Sequence, residues 1–194
     1  MPEMNEAHEH CGSDEWRQMI RDVILPWAMG EVDLGADVLE VGPGYGATTD
    51  VLAGSAHRLT AVEIDPELAT ALTDRFAAEP GVHIVLGDAT DLDYPDRHFT
   101  GAACFTMLHH VPSIELQDRL FAEVARVLRP GAPMVASDSV ASPELEAHHD
   151  GDTYNPVDPE SLPDRLRAAG FADVEVRANA FGWAAVARAA DVVR

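Results

Sequence analysis

Glu40-Val41-Gly42-Pro43-Gly44-Tyr45-Gly46 joins an apolar run, Val38 to Val41, to a helical stretch that begins near Ala47. Glycines tolerate positive φ and carry no Cβ, so a ligand can approach the backbone of such a turn. A helix start adds unpaired N–H groups and the positive end of a dipole. The combination suits a nucleotide-like ligand with an anionic or carboxylate group. Other chemically capable residues also fall where apolar runs end: Glu63, Asp88 in Gly87-Asp88-Ala89, and the pair His109-His110. A carboxylate at Glu63 can accept from both hydroxyls of a ribose. Asp88 can accept from the amino group of an adenine, with the neighbouring backbone N–H serving a ring nitrogen. Histidine titrates near neutral pH, so His109 or His110 can take a proton from a second reactant. The competing reading is that the pair only shapes its loop.

These residues need elements to hold them. Ser13 is a plausible N-cap for an amphipathic helix over residues 13–28, with Trp16, Met19, Ile20, Val23 and Trp27 at three- and four-residue spacing. The aromatics read as core residues in preference to a stacking surface. Strands follow over 38–41, 59–62, 82–86, 102–107 and 133–138. Helices lie over 47–52, from Asp65-Pro66 onward, over 114–128 and near 159–169. Pro163 conflicts with the last of these. Residues 139–157 are polar and irregular, and His148, His149, Asp150 and Tyr154 within them either face a second reactant or are solvated. Residues 174–178 and 183–189 pair as an antiparallel hairpin across 179–182. Alternating β and α units imply a parallel sheet with helices on both faces, and ligands bind such sheets outside the C-terminal strand ends. The glycine loop, Glu63, Asp88 and the histidines all fall there.

Composition narrows the function. The 194 residues suit one domain, 1–194, with an N-terminal lid or helix segment (1–30) and a core (34–189). The net charge is -21, with 13 basic residues that are all arginine. Lysine-based Schiff-base chemistry is therefore excluded, and the acidity argues against nucleic acid and anionic membranes as partners. Two cysteines, Cys11 and Cys104, argue against a disulfide or structural zinc and for a reduced, cytoplasmic setting. No signal peptide or membrane-spanning run is visible. A metal site from His8, His10 and Cys11 is conceivable, but that stretch has no anchor and reads as a flexible tail; no metal is expected.

Two ligand classes share the glycine turn. Gly42, Gly44 and Ala47 fit the dinucleotide fingerprint, which keeps an NAD-dependent oxidoreductase open. Glu40-x-Gly42-x-Gly44-x-Gly46, Val62-Glu63-Ile64-Asp65-Pro66, Gly87-Asp88-Ala89, Leu108-His109-His110-Val111 and Leu128-Arg129-Pro130-Gly131 together resemble the class I, Rossmann-like, S-adenosylmethionine-dependent methyltransferases. The resemblance spans about residues 34–189 and includes the reversed last strand. It implies a doubly wound sheet of seven strands, mostly parallel, with an antiparallel C-terminal hairpin. It also implies S-adenosyl-L-methionine as donor and S-adenosyl-L-homocysteine as product. Gly42, Pro43 and Gly44 would pass under the methionine part, oriented by Glu40. Glu63 would hold the ribose with Ile64 against the adenine, and Asp88 and Ala89 would read the adenine edge. Phe105 and Thr106 would line the methyl end, and His109 and His110 would stand on the acceptor side. Phe99-Thr100 departs from the family's usual Phe-Asp. The expected acceptor is a small molecule, the chain a monomer or homodimer, and residues 1–28 a cover packed beside the strand-four and strand-five exit loops. A donor-binding protein without catalysis is the remaining alternative.

Overall fold

The computed structural model describes residues 10–191. Helix α1 (Asp14–Met19) passes through a π-helical turn (Ile20–Ile24) into α2 (Leu25–Met29). The core then runs β1 (Asp37–Val41), α3 (Ala47–Leu52), β2 (Arg58–Glu63), α4 (Pro66–Arg75), β3 (Val82–Leu86), β4 (Gly101–Phe105), α5 (Ile114–Val127), β5 (Pro133–Ser139), α6 (Pro143–His148), α7 (Leu162–Ala169), β6 (Phe171–Ala178) and β7 (Gly182–Ala189). The seven strands order as β3-β2-β1-β4-β5-β7-β6. Pairs from β3 to β5 are parallel, and β7 runs antiparallel to both β5 and β6. This is the Rossmann-like arrangement with a reversed terminal hairpin.

Strand alternation divides the core. On β1, Val38 faces the layer of Ile20, Leu25, Ala28 and Leu52, while Leu39 and Val41 face that of Phe121, Val124, Leu162 and Leu166. A strand buried on both faces sends successive side chains to opposite helical layers. Caps set the helix starts. Asp65 accepts from the Glu67 and Leu68 amides at 2.8 and 3.0 Å ahead of Pro66, and Ser113 and Ser142 cap α5 and α6 through Leu116 and Leu145, both at 3.2 Å.

Three local expectations change. The single helix over 13–28 contains a π turn, in which the Leu25 amide reaches back to the Ile20 carbonyl. Pro26 follows at once; it has no N–H and its ring crowds the preceding turn, so the backbone widens there. The Pro163 conflict disappears because α7 starts at Leu162, which puts the proline in the first turn, where no amide hydrogen is needed. Within 139–157, residues Pro143–His148 form a helix.

The sheet order reverses between β1 and β4. From β1 the chain steps outward to β2 and β3, then returns to the other side of β1, where Val41 lies opposite Cys104. The loops leaving β1 and β4 therefore diverge and open a crevice between them.

Candidate active site

A cavity of about 440 Å³ fills this crevice. Its floor is the glycine turn. Gly42, Gly44 and Gly46 have φ of 63°, 55° and 80°. A Cβ on Gly44 would meet nothing within 4 Å, so the backbone there is bare toward the cavity. At Gly46 the φ of 80° favours glycine, and an added Cβ would press on Leu72 Cδ2 of α4 at 2.7 Å.

Glu63, at the end of β2, is buried and reaches this turn. Its Oε2 accepts from the Gly44 amide at 2.9 Å, and its Oε1 accepts from Ile64 and Asp65 at 2.9 and 3.0 Å. Burial pushes its pKa up, opposed by these three amides. A carboxylate has about four acceptor positions, so capacity for a ligand hydroxyl remains on Oε2. Ile64, an apolar side chain 46% exposed, lines the cavity beside it. Asp88 and Ala89 line the same end, and Asp88 Oδ1 closes a turn onto the Thr90 amide at 2.8 Å.

Glu40 is placed differently. It points into the layer under the helices and does not line the cavity. Burial raises its pKa to about 8; Thr49 pulls it down, and the charges of Glu63 and Asp50 push it up. Neither carboxyl oxygen completes a hydrogen bond, and the Thr49 hydroxyl does not either.

The opposite wall comes from the β4 exit. Phe105, Thr106, Met107 and His110 line it. Thr106 has φ of 52°, an uncommon conformation for a β-branched residue, and is held by a 2.8 Å bond from its amide to the Ser137 carbonyl. His109 does not line the cavity. Its Nδ1 donates to Asp138 Oδ1 at 2.7 Å, and its backbone amide donates to Oδ2 at 3.1 Å. Burial lowers its pKa, but Asp138, by charge and hydrogen bond, and Asp152, by charge, together raise it.

Sequence reasoning missed Asp138 and Gln117. Asp138 is an acid at the C-terminal end of a strand, the same signal that singled out Glu63. Gln117 is fully buried in α5. Its Nε2 donates to the Leu108 and Asn155 carbonyls at 3.0 and 2.8 Å, pinning the β4 exit to the segment after α6. A glutamine in phase with Leu120, Phe121 and Val124 was its signal.

Residues 140–157 pack beside the β4 exit, with Asp152 and Thr153 on the cavity wall and the Asn155 amide bound to the His109 carbonyl at 2.7 Å. The N-terminal helix sits elsewhere. Arg17 bonds Asp50 of α3 at 3.2 Å, and Gly12 packs on Tyr45. Cys11, Trp16 and Ile20 line the cavity from the glycine-turn side. Trp27 lies at the other end, with the Arg177 guanidinium 5.7 Å from its ring. The first nine residues, including His8, lie outside the described residues.

A bare glycine turn, a strand-end carboxylate and a crevice at the sheet's switch point define a nucleotide-type ligand site on a Rossmann-like fold. Residues 39–136, half of the chain, match the family model described as "Methyltransferase domain". The chain belongs to this family, the class I S-adenosylmethionine-dependent methyltransferases. It is 36% identical over 119 residues to a protein of Pyrobaculum aerophilum named "Probable ribosomal RNA small subunit methyltransferase A", covering 56% of this chain and 51% of that one. The chain spans between a quarter and a half of the length of the curated relatives it matches. Among solved structures, the PH0226 protein of Pyrococcus horikoshii superposes with a TM-score of 0.78 at 17% identity, covering 96% of this chain and all of that one. The phosphoethanolamine N-methyltransferase 2 of Haemonchus contortus, in complex with S-adenosyl-L-methionine, superposes with a TM-score of 0.76 at 16% identity, covering 95% of this chain and 56% of that one. Among the described residues no helix is long and apolar enough to cross a membrane.

Proposed function

We propose that this methyltransferase binds S-adenosyl-L-methionine along the glycine turn and transfers its methyl group to a small-molecule acceptor. The observation that carries the reading is the Glu63 carboxylate tied to the Gly44 amide at 2.9 Å, with a bare backbone on one side and an exposed apolar Ile64 on the other. These residues fit the donor. The cavity, about 440 Å³, lies within the usual small-molecule range of about 300–1,000 Å³. Glu63 would take a ribose hydroxyl, Ile64 would pack on the adenine, and Asp88 and Ala89 would read its edge. Gly42, Pro43 and Gly44 would carry the methionine part, with Glu40 shaping the turn from below. Phe105 and Thr106 would border the reacting end. When bound, the donor supplies a methyl group already activated on a sulfonium. The chain's own contribution is then orientation and exclusion of water. Cys11, Trp16 and Ile20, as part of a lid, would exclude water from the turn side, and Asp152 and Thr153 from the acceptor side.

The small-molecule reading rests on charge. A net charge of -21 with no lysine opposes the phosphate backbone of RNA. The names of the relatives favour a second reading, an RNA acceptor. Calorimetry with S-adenosyl-L-homocysteine against NADH tests the donor: binding of NADH alone would overturn it. Incubation with labelled donor and either a metabolite extract or total RNA tests the acceptor: label in RNA alone would overturn the small-molecule reading.

A further inference from the structure

At the cavity wall and just behind it, three histidines from two loops converge. His109 and His110 come from the β4 exit and His149 from the end of α6, and one ring nitrogen from each lies within 4.8 Å of the others. The ring centroids of His109 and His149 are 4.9 Å apart, and those of His110 and His149 are 5.1 Å apart. No two of these residues are paired by a backbone ladder, so their meeting is a tertiary event.

Two of the rings are oriented by hydrogen bonds at Nδ1, and the third has a carboxylate nearby. His109 Nδ1 meets Asp138 Oδ1 at 2.7 Å. His149 Nδ1 meets the Leu145 carbonyl at 2.6 Å, and a carbonyl can only accept, so Nδ1 carries a proton and Nε2 is the nitrogen left for a ligand. His110 Nδ1 lies 4.0 Å from Asp152 Oδ2. Tyr154 stacks on His149 at 4.7 Å between centroids and fixes its plane. A carboxylate on His109 and a carbonyl on His149 hold those two rings in the way proteins orient imidazole ligands for a metal. Two nearby carboxylates, Asp138 and Asp152, also match the charge of a dication.

We propose that His109, His110 and His149 form a binding site for a divalent transition-metal ion, with Zn²⁺ the best match to three imidazoles. Zinc–nitrogen bonds of about 2.0–2.1 Å set tetrahedral donors roughly 3.3 Å apart, so modest ring rotations close the cluster. Because His110 and Asp152 line the cavity, the fourth position of the ion opens toward the acceptor side. The ligand class that completes it is an acceptor with a hydroxyl, carboxylate or amine group. In this arrangement the two loop histidines act as ligands and neither is the general base.

The test uses the full chain after chelator treatment. Titration with Zn²⁺, followed by calorimetry, and with Co²⁺, followed by visible d–d absorption, should give one ion per chain. His149→Ala, and separately His149→Gln, should weaken binding by about 100-fold or more. Neither should change S-adenosyl-L-homocysteine binding, because His149 is not on the cavity wall; this also reports that the variants fold. Asp138→Asn should weaken the ion by about 10- to 100-fold. Absence of stoichiometric binding, or unchanged affinity in both His149 variants, would overturn the proposal, the latter placing the ion elsewhere, such as the His10–Cys11 segment. If the wild type holds the ion but not S-adenosyl-L-homocysteine, the donor assignment fails and the metal site stands.

Discussion

The Gly44 amide donates to Glu63 Oε2 at 2.9 Å, so the end of β2 and the turn after β1 are latched by one carboxylate. Glu63 therefore shapes the turn and, in the proposed donor site, would also offer the ligand an acceptor. Glu63→Ala should weaken S-adenosyl-L-homocysteine binding by about 100-fold, given roughly 1.5–3 kcal/mol for each hydrogen bond to a charged group. Asp65→Ala should weaken it by less than about tenfold, while costing roughly 1 kcal/mol of stability through the lost α4 cap. Calorimetry and thermal melts on both variants check this; equal loss of affinity would remove the special role of Glu63.

Glu40 makes stability depend on pH in the direction opposite to a salt-bridged acid. Its pKa rises from 4.5 to about 8 on folding. Between those values the native state holds a proton that the unfolded chain has lost, so its stability contribution is full below about pH 4.5 and declines up to about pH 8. Glu40→Gln cannot ionise. The variant should match the wild type near pH 4.5 and exceed it by on the order of a few kcal/mol at pH 8. Denaturant melts across that range measure the difference, and a constant difference would show that Glu40 ionises as readily in the folded chain.

Thr106 carries backbone strain at the cavity wall. Strain of this kind costs about 1–3 kcal/mol, against about 0.5–1 kcal/mol for the greater freedom of an unfolded glycine. Thr106→Gly should therefore stabilise the chain by roughly 1 kcal/mol, or about 2–4 °C in Tm for a chain of this length. Turnover should fall if the side chain borders the reacting end as proposed. A lower Tm would mean that packing of the threonine outweighs its strain.

The two thiols should respond differently to alkylation. Burial and the nearby Glu40 push Cys104 up to about 12, and it is fully enclosed between β1 and β5. Cys11 is raised by burial too, but lines the cavity. N-ethylmaleimide should label Cys11 slowly and leave Cys104 untouched until the chain unfolds. S-adenosyl-L-homocysteine should slow the Cys11 reaction by about tenfold or more if the segment closes over the ligand. Mass spectrometry of peptides after timed quenching reads both rates, and no protection of Cys11 would count against a lid.

The elements, the glycine turn and the strand-end acids beside it were legible in the sequence because their causes are local. The apolar run of β1, the glycines after it, the Asp65-Pro66 helix start and the acids closing β2 and β3 each act through nearest neighbours, and parallel β-α alternation puts all strand ends on one side. The mixed sheet followed from that alternation and the terminal hairpin. What needed the tertiary structure depends on which strands become neighbours. Asp138 meets His109 across 29 positions because β5 lies beside β4, and Gln117 meets Asn155 across 38. His149 reaches His109 and His110 only because α6 folds back over the β4 exit, and Glu40 faces the helical layer instead of the cavity because alternation along β1 put it on that side. Trp16 meets the cavity and Trp27 the terminal hairpin, neighbours that the helical spacing alone does not name. Long-range pairing and the face on which a side chain emerges are set by packing of distant segments, and a one-dimensional pattern of residues carries no record of either.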